Sequence, residues 1–102
     1  MKRVREIKAL LKGKSNLRRF EREVALLALD ALAGIKAKTL SPKAAGRCFV
    51  DIEYALNQDI EKRLRPKFSE MMFEAILLDE LGTKYGPDIR LLRRRALALS
   101  RK

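Results

Sequence analysis

Apolar side chains recur at intervals of three and four residues along nearly the whole chain, the period of a helix that buries one face. Val4, Ile7 and Leu11 mark a first helix from about Lys2 to Lys12, which Gly13 is placed to end as a left-handed cap. Ser15 or Asn16 can cap a second helix whose stripe is Leu17, Phe20, Val24, Leu27, Ala28, Ala31 and Ile35, with Gly34 marking its end. Ala25, Leu26, Leu29 and Leu32 widen that stripe, so this helix is expected to be the most buried.

Lys36 to Leu40 reads as a loop before the strongest start signal in the chain, Ser41-Pro42. The third helix is then predicted to run to about Leu64, with Ala45, Phe49, Ile52, Leu56, Ile60 and Leu64 on one face. Asp59 with Arg63 and Glu61 with Arg65 stand four apart as favourable surface pairs. Pro66 disfavours helix at Arg65 and predicts a break or kink there. A fourth helix from Pro66 to Leu81 presents Phe68, Met71, Met72, Ala75, Leu78 and Leu81 before Gly82 closes it. After a turn at Tyr85-Gly86-Pro87, a short fifth helix carries Ile89, Leu91, Leu92, Ala96 and Leu99. No alternating strand pattern competes.

The fold class is therefore all-α: one domain over residues 1–102, a compact bundle of four to five amphipathic helices. Pro66 leaves two arrangements open, two packed helices or one bent rod, and the rod would expose apolar surface and favour a dimer. With 47% hydrophobic residues the chain can fill a core, mostly with Leu, Ala, Ile, Val and Met because aromatics are only 6%. Cys48, alone in the chain, admits no internal disulfide and reads as a small core residue rather than a reactive thiol. The charged start (Lys2, Arg3, Arg5, Glu6, Lys8) has no signal-peptide core, and Val24–Ile35 is too short to span a bilayer. These features predict a cytoplasmic protein. Asn16, Asn57 and Gln58 are the only side-chain amides, a bias common in proteins from hot environments.

Charge changes the picture. The net charge is +11, from 24 Lys and Arg against 13 Asp and Glu. Residues 1–22 hold nine basic residues against two acidic, 36–47 hold four against none, and 81–102 hold seven against one. Residues 48–80 reverse the balance with four against eight. Cationic ends and loop around a mildly anionic middle suit a polyanion, above all nucleic acid.

Candidate chemistry is sparse. The chain has no His, and Gly13-Lys14-Ser15 matches only the tail of a phosphate loop. Glu70 and Glu74, four apart, are either half of a carboxylate metal site or, more simply, an acidic patch facing something positive. No catalytic residue, cofactor or metal is predicted, so the chain is read as a non-enzyme. It is expected to bind DNA or structured RNA through phosphate contacts from Arg18, Arg22, Lys36, Lys38, Lys43, Arg93 and Arg94. Arg93, Arg94 and Arg95 are consecutive and should spread around their helix. A helix-turn-helix using Arg90, Arg93 and Arg94 is disfavoured by its long turn, and the aromatics are mostly assigned to the core. The alternative is an assembly module, a homo-oligomer or a small subunit, with the acidic helix 66–81 against basic helices. A first helix lying on a membrane ranks third, because it lacks Phe or Trp anchors.

Overall fold

Three helix starts are set by side chains that accept from free backbone N–H groups. In the computed structural model, which describes residues 2–13 and 16–101, the elements are α1 (Lys2–Ala9) with a 3-10 extension (Leu10–Lys12), α2 (Leu17–Lys36), α3 (Pro42–Tyr54), α4 (Gln58–Arg63), α5 (Pro66–Ile76) with a 3-10 extension (Leu77–Glu80), and α6 (Ile89–Ser100). No strand occurs among the described residues. The Ser41 hydroxyl accepts from the Ala44 amide at 3.1 Å, the Asn57 side chain from Ile60 at 2.9 Å, and Asp88 from Leu91 at 3.1 Å. Asn16 stands at the start of α2 without a side-chain cap, and Ser15 lies outside the described residues.

The Asn57 cap corrects the expectation of one helix to Leu64. The chain leaves α3 at Ala55 and restarts at Gln58. The four-residue spacing of Ile52, Leu56, Ile60 and Leu64 hides this break, because all four still pack into or against the core. At Pro66 the chain breaks as predicted: Arg65 is extended (φ −73°, ψ 147°) and α5 starts on the proline. α5 then packs against α3 rather than continuing from it, which removes the bent rod.

Two glycine expectations also change. Gly13 is extended (φ −115°, ψ 125°), not left-handed. Gly34 lies inside α2, which runs two residues further and ends in a Schellman turn. The Lys38 amide donates to the Ile35 carbonyl at 3.1 Å and the Thr39 amide to that of Gly34 at 2.9 Å. The left-handed position falls on Lys38 (φ 63°), where a side chain costs about 1 kcal/mol or more relative to glycine.

The core is built from the predicted stripes. Phe20, Val24, Ala25 and Ala28 of α2 are sealed beneath Leu92, Ala96 and Leu99 of α6, Phe49 and Ile52 of α3, and Phe68 and Met71 of α5. The α2–α6 interface is the most extensive of the bundle. The Phe20 and Phe68 rings meet at 5.5 Å, tilted by 50°. α3 lies so close to the 3-10 turn after α5 that a Cβ on Gly46 would come within 2.8 Å of the Asp79 backbone nitrogen.

One polar group crosses this core. Glu21, on the buried side of α2, has no solvent exposure. Its carboxylate accepts from the Arg65 backbone amide at 2.8 Å and from Arg65 Nε at 2.6 Å, while Arg18 reaches it at 3.1 Å. Arg65 is therefore drawn away from Glu61, its expected surface partner. The Asp59–Arg63 pair does form, at 3.8 Å. Glu74, also buried, repeats the device one helix later: it accepts from the amide of Asp88, the residue that starts α6, at 2.8 Å. Together with Arg95 Nη1 donating to the Glu70 carbonyl at 3.3 Å, this runs α6 back along α5. The pair is an antiparallel hairpin, without the near-perpendicular crossing of a helix-turn-helix.

Three stability outcomes follow. Glu21→Ala strips the partner from a buried amide and two guanidinium groups and should lower unfolding free energy by about 3 kcal/mol. In urea this reads as a lower midpoint at unchanged slope, and an unchanged midpoint would refute the role given to Glu21. Gly46→Ala should cost about 1–3 kcal/mol by overpacking, whereas Lys38→Gly should raise stability by about 1 kcal/mol.

Candidate polyanion-binding surface

Which of the many cations are free depends on how each helix turns. α1 spends two of its own on acids of other helices: Arg3 on Asp30 at 2.5 Å and Lys8 on Asp51 at 3.1 Å. α1 packs on α2 and α3, while α6 packs on α2 and α5. The cleft between α1 and α2 is about 590 Å³ and carries both signs, Lys2, Arg3 and Arg19 with Glu6 and Glu23.

Arg18 and Arg22 do not form the matched pair that their spacing suggests. Arg18 is turned to Glu21 and to the Arg63 carbonyl at 3.3 Å. Arg22 is half-buried and in no ion pair among the described residues. Lys36, Lys38 and Lys43 are all exposed and gathered by the short α2–α3 connection, with Arg47 one turn beyond Lys43. Asp79 lies against Gly46 and so shares that corner. Ser41 is an ordinary cap, its hydroxyl committed to Ala44.

α6 presents the clearest surface. Its buried residues, Leu92, Ala96 and Leu99, define an inner face, and at 100° per residue Arg90, Arg94 and Leu97 fall on the opposite one, with Arg93 at its edge, about 90° from its centre. Arg101, just past the helix, continues the line. All four of these arginines are exposed, none is in an ion pair among the described residues, and no acid interrupts the stripe from Arg90 to Arg101. Arg93 and Arg94, consecutive as they are, diverge by 100° as expected: Arg94 points out near the centre of the exposed face and Arg93 stands exposed at its edge. Only Arg95 turns aside, to the Glu70 carbonyl. Arg90, named from sequence only for the disfavoured helix-turn-helix, and Arg101 join Arg93 and Arg94 on this candidate surface. The signal for them was the apolar triplet Leu92, Ala96 and Leu99, which fixes the helix's inward side.

The acids of the middle segment are partly used inside the molecule. Glu74 is buried on the Asp88 amide, so it faces neither a partner nor, with Glu70, a metal. Among the described residues no three His, Cys, Asp or Glu cluster in metal-binding geometry. Cys48 is partly buried against the core, and that burial pushes its thiol above the ordinary range. The aromatics were assigned too broadly to the core: Phe20, Phe49 and Phe68 are buried, but Tyr54, Phe73 and Tyr85 are exposed. No helix among the described residues is long and apolar enough to cross a membrane.

Comparison with protein-family models, curated proteins and solved structures finds no match to the chain.

This layout separates structural arginines from free ones. Arg18→Ala should lower the melting temperature, since it uncovers buried Glu21. Arg93→Ala and Arg94→Ala should change stability by no more than about 0.5 kcal/mol. Equal losses in all three would contradict the assignment of Arg18.

Proposed function

We propose that the protein is a non-enzymatic nucleic-acid-binding domain that grips the phosphate backbone of DNA or structured RNA with the outer face of α6. The observation that carries this reading is the acid-free arginine stripe on a helix whose other sides are packed. Arg101 stands eleven positions after Arg90, just past the helix end, roughly 16 Å along the axis. A duplex presents one negative charge per about 1.7 Å of axis, so phosphates outnumber the four arginines and each guanidinium can find one. Arginine's planar fork suits phosphate better than a point charge does.

Lys36, Lys38 and Lys43, with Arg22, add longer-range attraction rather than a second grip, since Asp79 shares the lysines' corner. The antiparallel α5–α6 hairpin offers no recognition helix for a groove, so binding is expected to be indifferent to base sequence. Nothing in this role calls for catalysis.

Gel-shift titrations against two duplexes of unrelated sequence test it. Both should bind with similar affinity that falls steeply with salt. Arg93→Gln with Arg94→Gln should weaken both alike and reduce the slope of log K against log salt by about 2. Absence of binding at low salt, or a slope untouched by the double substitution, would refute the proposal.

A further inference from the structure

The acid-rich middle of the chain carries a second surface, different in kind. Between the α3–α4 junction and α5 runs a groove of about 330 Å³. Leu56 and Leu64 form one wall, Met72, Phe73 and Ile76 the other. Phe73 is 60% exposed at its lip, although aromatic rings elsewhere on the inward faces of α2, α3 and α5 are sealed. Glu53 and Glu61 stand on the α3–α4 wall, both exposed and neither in an ion pair among the described residues.

The lining contains no basic residue, in a chain where Lys and Arg outnumber Asp and Glu 24 to 13. An apolar trough with a one-sided acidic rim complements a helix that has apolar anchors on one face and lysine or arginine along one flank. From Phe68 to Ile76 the α5 wall is about 12 Å long, room for two turns and hence for anchors spaced i, i+4 and i+7. We propose that this groove docks a basic amphipathic helix of a partner protein.

A second copy of this chain fits less well. Groove against groove would oppose Glu53 and Glu61 to themselves. The arginine stripe of α6 in another copy offers only Leu97, 41% exposed, to fill a trough that takes several side chains. The groove also lies on the far side of α5 from α6. The Glu74 side chain faces α6, whereas at 100° per residue Met72 and Ile76 lie about 160° from it and Phe73 about 100° from it. The domain can therefore hold a polyanion on α6 and a protein helix in the groove at once, and either site can fail without the other.

The test uses the full chain and a fluorescent synthetic helix of about sixteen residues, with Leu at i, i+4 and i+7 and Lys along one flank. A counterpart carries Glu in place of every Lys. Fluorescence anisotropy should show binding of the Lys peptide, with the Glu peptide at least about tenfold weaker. Phe73→Ala should weaken the Lys peptide about tenfold, and Glu53→Lys with Glu61→Lys should reverse the preference between the two peptides. All three side chains are exposed, and an unchanged helical circular-dichroism melt shows that the variants fold. The proposal is overturned if the Lys peptide does not bind, if both peptides bind alike, or if the substitutions change nothing. It is equally overturned if light scattering shows self-association that Phe73→Ala abolishes, because the occupant is then a second copy.

Discussion

The carboxylate of Glu21 is the constraint on which the bundle turns. It sits on the inward face of α2 where an apolar residue would be expected, and it is tolerable there only because Arg65 satisfies it from backbone and side chain together. Arg65 precedes Pro66, so its amide belongs to the first residue of a helix start and has no partner within α5. By accepting that amide, Glu21 fixes where α5 begins and at what angle it meets α2. Phe20, next to Glu21, then finds Phe68 one turn into α5. Glu74 applies the same logic to α6 through the Asp88 amide. Two buried glutamates thus pass the register of α2 to α5 and of α5 to α6.

That chain of constraints also decides what the surface can do. Once α6 is held along α5 and pressed on α2, its third side has nothing to cover it, and that side is arginine. Much of the large positive charge is dispersed or spent internally, on Asp30, Asp51 and Glu21. The proposed polyanion binding rests on the orientation of one helix more than on the total of +11. The acid-rich middle of the chain, in turn, is not a uniform patch. Glu74 is structural, while Glu53 and Glu61 remain on the rim of an apolar groove.

The helical class, the stripes of all five predicted segments, the Ser41 cap and the break at Pro66 were legible because each rests on local spacing or local backbone chemistry. The break at Asn57 was not, since Ile52, Leu56, Ile60 and Leu64 keep helical spacing across it and only the Asn57 cap betrays it. Glu21 falls within the apolar stripe by spacing, four after Leu17 and three before Val24, but its charge argues against burial, and the partner that resolves the conflict lies 44 residues away. The same non-locality took Arg18 out of the free set. Phe73 was overlooked in the opposite sense: position 73 lies off the α5 stripe, and that offset is what exposes it. Arg101, and Arg90 outside the disfavoured helix-turn-helix, required the inner face of α6 to be drawn first.

The most direct test of the account is a nuclear magnetic resonance titration of the protein with a short duplex of arbitrary sequence, following arginine side-chain Nε–H signals. The account predicts shifts at Arg90, Arg93, Arg94 and Arg101, little change at Arg95, and none at the amides around Phe73. Shifts confined to the groove or to α1, or the absence of shifts on α6, would contradict it.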